Sequence, residues 1–233
     1  MPATSPSPTI SIILPTWNEA TVIASTLAKL APFRARGAEI LVADGGSRDA
    51  TVSLASRLAD RVIQAPKGRA VQMNAGAAVA RGTYLLFLHA DTELPVEAFD
   101  ALVECMAKAV AWGRFDVRLS GCHPVLRVVE TLMNWRSRLT GIVTGDQGIF
   151  VRRDVFEVVG GYPPIALMED IALSKSLKSR AWPVCLGQRV TTSSRRWETR
   201  GIGSTIFLMW ELRLRYFLGA DPADLAREYY GRD

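Results

Sequence analysis

Carboxylates and basic side chains recur in this sequence directly after short apolar runs. Asp44 follows EILVA, Asp91 follows YLLFLHA, and Lys67 and Arg69 follow RVIQAP. A carboxylate so placed can bind a base, a sugar hydroxyl or a divalent cation, whereas lysine and arginine side chains bind phosphate. The combination predicts a site for a ligand that carries both hydroxyl and phosphate groups.

Asp91 is the candidate metal ligand. Pro95 is the expected first residue of the next helix, so Asp91 comes too early in the chain to cap that helix. A single carboxylate suits Mg²⁺ or Mn²⁺, because these ions keep waters and take further ligands from phosphate oxygens. His89 could add a nitrogen ligand, more readily to Mn²⁺, or could be a packing or hydrogen-bonding group.

The other two segments each allow a purely structural interpretation. In ADGGSRD, Asp44 could bind the backbone of a turn while Ser47 caps a helix, or it could bind a base or sugar beside the two glycines. In PKGR, Lys67 and Arg69 could belong to a solvated surface turn, or could supply cations near a helix N-terminus, where phosphates bind well.

The elements that must position these residues alternate between strand and helix. Continuous apolar runs are typical of strands that are covered on both faces. Four such runs are SIILP (11–15), EILVAD (39–44), RVIQA (61–65) and YLLFLHAD (84–91). Helical segments lie between them, the first two with Asn18 and Ser47 as expected caps, and another is expected from Pro95 to about Trp112. This alternation predicts a parallel sheet that binds its ligand at the carboxyl ends of the strands.

The second half of the chain has a different pattern. GRFDVRLS (113–120) alternates like an edge or antiparallel strand, and PVLRVVETLMNWRSRL predicts a helix. A further helix is expected near MEDIALSKSLKSR and a strand in PVCLGQRVTTSS. We therefore expect mixed strands to extend the first sheet. The predicted division is a flexible tail (1–9), one domain (10–202) with a donor half (10–112) and an acceptor half (113–202), and an amphipathic helical segment (203–233).

Composition restricts the partner and the compartment. The net charge of +5 favours an anionic ligand, but the basic residues are scattered without interleaved aromatics, which argues against nucleic acid. Cys105, Cys122 and Cys185 fit neither a disulfide framework nor a zinc site, which indicates a reducing compartment. The first residues, MPATSPSPT, do not form a signal peptide, so the expected location is the cytoplasm.

The stretch GSTIFLMWELRLRYFLG (203–219) is apolar but interrupted by charges. It is too short and too charged to span a bilayer. It could lie at the inner face of a membrane with Trp210 and Tyr216 at the head groups, pack on the core, or form a homodimer. The sequence leaves these three alternatives open.

Taken together, four segments resemble the family 2 glycosyltransferases of the GT-A fold. They are ISIILPTWNEA, AEILVADGGSRDAT, KGRAVQMNAGAAVARGTYLLFLHADT and LMEDIALS, and they span residues 10 to about 175. The resemblance implies an α/β, Rossmann-like fold with a central, mostly parallel sheet and helices on both faces. Within the family, the HADT motif and the short length of this chain resemble those of bacterial enzymes associated with arsenosugar biosynthesis. Members that act on carotenoid acids or isoprenoid lipids are alternatives.

The resemblance also implies roles for individual residues. Those that would hold the nucleoside, uridine, are Pro15, Thr16, Glu19 and Asp44. Those that would lie along the donor near its base and phosphates are Lys67, Arg69 and Asn74. Asp91, at the last position of the D-x-D motif, would bind the metal on the donor diphosphate, and Asp170 would be the catalytic base, with its proton affinity raised by burial beside Glu169. The residues expected on the acceptor side are Gln147, Glu169, Arg196 and Trp197.

The sequence departs from the family pattern at two points. His89 replaces the first acid of D-x-D, which leaves open whether this position contacts the metal or the ribose. The Q-x-x-R-W motif of processive members is present only as SSRRW (193–197), which argues against polymer synthesis.

The activity that the resemblance implies is inverting transfer of a sugar from a nucleoside diphosphate to a hydroxyl or carboxyl group of a small-molecule or lipid acceptor. A nucleotidyltransferase would need a basic, glycine-rich loop where this chain has PTWNEA, and a dinucleotide-binding protein would need G-x-G-x-x-G there. A binding module without catalytic activity is the remaining alternative.

Overall fold

The computed structural model describes residues 9–231, and within them one eight-stranded sheet carries helices on both faces. The strands are β1 (Ile10–Thr16), β2 (Glu39–Asp44), β3 (Arg61–Gln64), β4 (Tyr84–Phe87), β5 (Thr92–Glu93), β6 (Trp112–Leu119), β7 (Ile149–Arg152) and β8 (Val184–Thr192). The helices are α1 (Ile23–Ala35), α2 (Thr51–Ala55), α3 (Arg69–Val79), α4 (Ala98–Ala107), α5 (Pro124–Thr140), α6 (Arg153–Val158), α7 (Glu169–Lys178), α8 (Arg195–Arg200), α9 (Ile202–Phe217) and α10 (Pro222–Tyr230).

The strand order is β3-β2-β1-β4-β7-β6-β8-β5. The first four of these strands are mutually parallel, as predicted. β7 is antiparallel to both β4 and β6, and β8 is parallel to β6, so the predicted mixed strands do extend the sheet. β6 is antiparallel to β7 but lies inside the sheet; its alternation reflects its far end, where Arg118 is exposed, rather than an edge position.

Both faces of β1, β2 and β4 are buried, which explains their continuous apolar runs, whereas β3 at the edge of the sheet is only partly buried. Ile12 and Leu14 point into a core cluster with α1, α4 and α5, while Ile13 points into a second cluster with α3, α6 and α7. Helix α3 lies so close to β1 that a Cβ atom at Gly76 would stand 2.5 Å from Ile13 Cγ2. A glycine is therefore required here by packing.

The predicted helix caps are wrong. Asn18 and Ser47 do not precede helices, because each binds the other's loop: Ser47 Oγ accepts from the Asn18 backbone N–H at 2.8 Å, and Asn18 Oδ1 accepts from the Arg48 N–H at 2.9 Å. Helices α1 and α2 begin several residues later, at Ile23 and Thr51. The two loops are thus held together at the carboxyl ends of β1 and β2.

The boundaries around residue 91 also differ from the prediction. β4 ends at Phe87, so Asp91 lies four residues past the strand rather than at its end. α4 begins at Ala98 instead of Pro95, and it ends at Ala107, because the chain from Trp112 onward enters β6.

Helices α9 and α10 pack against the start of α7. Leu208, Leu212 and Leu225 form a third core cluster with Ile171. One face of the 203–219 stretch therefore packs on the core, which is one of the three alternatives that the sequence left open. None of the helices in residues 9–231 combines the length and the apolar character that crossing a bilayer requires.

The predicted division of the chain stays a prediction, although the sheet itself is continuous across residues 112 and 113. The predicted tail, except for its last residue, lies outside the described residues.

Candidate active site

A cleft of about 920 Å³ lies at the carboxyl ends of the parallel strands. It is lined by residues from the loops after β1, β3 and β4, which we call the donor wall, and by residues from α7 to α10, which we call the helical wall. The predicted site residues that line it are Pro15, Thr16, Glu19, Lys67, Arg69, His89, Asp91, Glu169, Asp170, Arg196 and Trp197. The structure therefore brings most of the predicted site together around one space.

Asp91 is held in a turn between β4 and β5. The Thr92 backbone N–H donates to the His89 carbonyl at 3.1 Å, and Thr92 Oγ1 donates to Thr192 Oγ1 at 3.0 Å. Thr26 in α1 donates its hydroxyl to the Ala90 carbonyl. These bonds fix the backbone on both sides of Asp91, whose half-buried carboxylate faces the cleft.

Glu19 and Asp91 form an acidic pair on the donor wall of the cleft. Partial burial and the nearby charge of Asp91 raise the pKa of Glu19. Such repulsion between two carboxylates is relieved by a bound cation. Within residues 9–231, no three His, Cys, Asp or Glu side chains are close enough to form a metal site by themselves. The pair therefore fits a divalent ion that takes its other ligands from a diphosphate and from water.

The cationic side chains of the basic turn face the same cleft. Lys67 Nζ lies 3.2 Å from the centre of the exposed Trp17 ring, a cation–π contact across the loops after β1 and β3. Arg69 is the first residue of α3, so its charge adds to the positive end of the helix dipole. Gln72 in α3 donates to the Thr16 and Ala43 carbonyls, at 2.7 and 2.8 Å, and thereby ties the ends of β1 and β2.

Glu169 and Asp170 form a second acidic pair on the helical wall, at the first turn of α7. The backbone N–H of Gly145 donates to Asp170 Oδ2 at 2.9 Å, which orients this carboxylate. Burial and the charge of Asp170 raise the pKa of Glu169 to about 7. The sequence analysis expected burial to act on Asp170, but Glu169 is the more deeply buried of the two, with 6% of its surface exposed.

His89 faces Asp146 instead of standing free in the cleft. Its Nδ1 atom lies 3.4 Å from Asp146 Oδ1. Burial in the cleft raises the pKa of Asp146, but the hydrogen bond and charge of His89 lower it, to about 2. A Cβ atom at Gly145 would stand 2.5 Å from His89 Nε2, so only glycine leaves room for this pair.

Asp44 does not line the cleft. Its Oδ2 accepts from the Gly46 and Ser47 backbone N–H groups at 2.9 and 2.8 Å, and Thr16 Oγ1 donates to its Oδ1 at 3.3 Å. The carboxylate is fully buried in this turn, and its predicted contact with the nucleoside stays a prediction.

Asn74 and Gln147 are also committed elsewhere. Asn74 exchanges two hydrogen bonds with the backbone of Tyr162, at 2.7 and 2.9 Å, and so holds the loop that precedes α7. Gln147 is buried and donates to Ser137 Oγ at 3.0 Å. Their polar groups form hydrogen bonds inside the protein, and their predicted contacts with donor and acceptor stay predictions.

The cleft also contains residues that the sequence analysis did not assign. They include Trp17, Arg195, Arg213, Tyr229 and Tyr230. An aromatic residue inside PTWNEA and a charge inside the apolar 203–219 stretch were available signals for Trp17 and Arg213. The two tyrosines had no local signal, because only the packing of α10 brings them to the cleft.

Comparison with known proteins identifies the family. A family model described as "Glycosyl transferase family 2" matches residues 11–160. The chain belongs to glycosyl transferase family 2. The family match covers both acidic residues of the donor wall but ends before Glu169 and Asp170.

Among family 2 relatives, a "PGL/p-HBAD biosynthesis glycosyltransferase" of Mycobacterium bovis is 38% identical over 95 residues. That alignment covers 38% of this chain and 37% of the relative, so the chain matches only about a third of the relative's length.

Two solved structures have a similar fold. S. aureus TarS 1-349 matches with a TM-score of 0.67 and 18% identity, over 80% of this chain and 60% of that chain. The mannosyltransferase PcManGT of Pyrobaculum calidifontis, solved in complex with GDP-Man and Mn²⁺, matches with a TM-score of 0.63 and 20% identity, over 97% of this chain and 65% of that chain. The predicted GT-A fold is confirmed.

Proposed function

We propose that this protein transfers a sugar from a nucleoside diphosphate to an acceptor, with inversion at the sugar carbon. The observation that carries the proposal is that two acidic pairs, Glu19–Asp91 and Glu169–Asp170, line one cleft together with Arg69. In a family 2 chain, this arrangement supports a donor site on the donor wall and a base on the helical wall.

The donor wall has the groups that a sugar nucleotide requires. Pro15, Thr16 and Glu19 would surround the nucleoside, while Lys67 and Arg69 would stabilise the negative charge that develops on the departing diphosphate. We propose uridine as the nucleoside; TarS has been solved with UDP and with UDP-GlcNAc. Guanosine is the alternative that the GDP-Man complex of PcManGT suggests.

A divalent ion fits the donor wall, with Asp91 as its first protein ligand and Glu19 beside it. When bound to the diphosphate, Mg²⁺ or Mn²⁺ neutralises charge on the leaving group. The presence of Mn²⁺ in the PcManGT complex supports this part of the proposal. His89 would hold Asp146 in place, since its Nδ1 atom faces that carboxylate and its Nε2 atom lies against Gly145.

Asp170 is the proposed general base. The Gly145 N–H fixes one of its oxygens, which leaves the carboxylate oriented to take a proton from an acceptor hydroxyl as the new bond forms. One base and one displacement produce inversion. Glu169, Arg196 and Trp197 would contact the acceptor side; Arg196 lies over the Tyr229 ring, 4.3 Å from its centre. An acceptor carboxyl group would need no base and would react without this proton transfer.

Thermal shift with UDP-, GDP-, TDP- and CMP-sugars, each with and without Mn²⁺, tests the proposal. We expect one nucleotide to stabilise the protein in a saturable and metal-dependent manner. The proposal is contradicted if the protein is folded and none of these nucleotide sugars raises its Tm. Release of a nucleoside diphosphate from the sugar nucleotide distinguishes glycosyl transfer from the two alternatives. A nucleotidyltransferase would release pyrophosphate from a nucleoside triphosphate instead, and a binding module would release neither.

We also propose, from the HADT motif and the short chain, that the protein belongs to the subgroup associated with arsenosugar biosynthesis. The test is incubation of purified protein with a labelled UDP-sugar and an extract of arsenate-fed cells. A labelled product that contains arsenic would support the assignment, and labelled products without arsenic would contradict it.

A further inference from the structure

A second cavity, of about 710 Å³, lies between α5, α7 and α9. Ile171 and Arg213 line both this cavity and the candidate active site, so the two spaces are neighbours. The charged side chains that line it are all basic: Arg136, Lys175, Lys178 and Arg213. We call this cavity the basic pocket. The function proposed above does not use it.

Arg136 is the unusual residue of the basic pocket. Its Nε and Nη2 atoms are buried and have no hydrogen-bond partner among residues 9–231. Buried guanidinium groups are costly unless they are paired, so these two donors indicate a missing acceptor. Burial and the charge of Arg213 lower the pKa of Arg136 to about 10, a repulsion that an anion would relieve.

The two lysines of the pocket have their ammonium groups near its rim. Lys175 Nζ lies 4.6 Å from the centre of the Phe217 ring, and Lys178 Nζ donates to the Thr140 carbonyl at 2.7 Å. Neither contact neutralises the lysine charge. Both lysines are exposed to solvent and able to bind an incoming ligand.

We propose that the basic pocket binds an anionic group, a phosphate or a carboxylate, of the acceptor substrate, which rests on the glycosyl transfer proposed above. Arginine suits this role because its planar donors match both oxyanions. Asp170 and Lys175 lie on the same helix, five residues apart, which corresponds to about 7.5 Å along its axis. Because Ile171 and Arg213 line both spaces, an acceptor anchored in the pocket would lie next to the cleft that contains the proposed base.

The anionic group could belong to a soluble metabolite or to a lipid. Two exposed apolar stripes flank the pocket, one on each of the helices that supply its arginines. On α5 the stripe is Val125, Val128, Leu132, Trp135 and Leu139, and on α9 it is Phe207, Trp210, Leu214 and Phe217. An amphiphile could cover such stripes, so both sources are tested.

Inorganic phosphate is the first probe, used at constant ionic strength with UDP and Mg²⁺ present to occupy the donor site. We expect a saturable rise in Tm for the wild type, and an apparent phosphate affinity at least about tenfold weaker in Arg136→Gln and in Lys178→Gln. Neither residue lines the active-site cleft. Lys108→Gln, which removes an exposed charge directly after α4, is the matched control and should bind phosphate like the wild type.

Arg136 is partly buried, so the Tm of each variant without ligand shows whether it folds. Lys178 is exposed, and its variant keeps the test valid if Arg136→Gln does not fold. Absence of saturable phosphate binding, or unchanged affinity in Lys178→Gln, would overturn the proposal.

Vesicles distinguish the two sources. The pocket is assigned to a lipid if the protein cosediments with phosphatidylcholine vesicles that contain phosphatidic acid but not with pure phosphatidylcholine vesicles. The Lys178→Gln variant should then no longer cosediment. Phosphate binding without cosedimentation would assign the pocket to a soluble acceptor. UDP binding, measured in parallel, separates this inference from the proposed function. If the wild-type protein binds phosphate but not UDP, glycosyl transfer is contradicted and the anion site in the basic pocket is not. If it binds UDP but not phosphate, the anion site is contradicted and glycosyl transfer is not.

Discussion

Each wall of the active-site cleft presents a glutamate–aspartate pair, yet the two pairs are built for different chemistry. Glu19 and Asp91 lie on loops and are only partly buried, so an ion and its waters can reach both carboxylates. Glu169 and Asp170 start a helix, and Glu169 is almost completely buried. The same repulsion between like charges therefore favours a bound cation on the first wall and a retained proton on the second.

Asp170→Asn tests the second wall most directly. The amide can still accept the bond from Gly145, but it cannot take a proton, so donor turnover should fall about 10²- to 10⁴-fold. Nucleoside diphosphate release measures turnover, and thermal shift with UDP and Mn²⁺ should be unchanged. Asp224→Asn, at an exposed position of α10, is the control. Normal turnover in Asp170→Asn would remove this residue from the mechanism.

Glu169→Gln tests whether the buried pair retains a proton. The pKa of Glu169 rises from 4.5 to about 7 on folding, so its stabilising contribution is complete below pH 4.5 and is lost as the pH rises through 7. The free energy of unfolding of the variant, relative to that of the wild type, should therefore increase by up to about 3 kcal/mol between pH 5 and pH 8. Urea unfolding at both pH values measures the difference. Glu157→Gln, on the surface of α6, should show no such gain; parallel pH curves for wild type and Glu169→Gln would refute the assignment.

Asp91→Asn tests the first wall. Loss of the carboxylate should weaken the Mn²⁺-dependent part of UDP binding by at least about tenfold, while binding without metal changes little. Titration of UDP with and without Mn²⁺ provides both values. Asp100→Asn, at an exposed site on α4, is the control. An equal loss with and without metal would show that Asp91 does not act through a cation.

Trp17→Ala should have the smallest effect. The ring orients Lys67 through a cation–π contact, whose loss is worth about 0.5–1 kcal/mol at an exposed site, so UDP affinity should fall only about two- to fivefold. Trp17→Phe keeps an aromatic face and should lose less. If both variants bind UDP equally weakly, the contact with Lys67 is not the reason.

The donor wall was largely predictable from the sequence, since its residues follow parallel strands, of which β1 and β4 are buried. Continuous apolar runs mark β1 to β4, and parallel strands deliver the residues after them to one edge. Asp44 shows the limit of this rule. A carboxylate at a strand end can face a ligand or a turn, and the choice depends on the backbone N–H groups of Gly46 and Ser47.

The helical wall was less predictable. Glu169 and Asp170 were expected from the E-D segment, but which of the two is buried depends on how α9 and α10 pack over the start of α7. The prediction of the helix caps was wrong for a related reason. Asn18 and Ser47 form a hydrogen bond with each other, 29 residues apart in the chain, instead of capping the helices that follow them.

By itself, the sequence determined the α/β alternation, the parallel arrangement of the first four strands and the residues that follow them, because hydrophobic periodicity and chain order are local properties. Only the tertiary structure decided that Glu169 is buried, that His89 pairs with Asp146, and that four basic side chains from three helices surround one pocket. Burial and charge pairing involve residues that are far apart in the chain, and only the packing of the helices and the sheet brings these residues together.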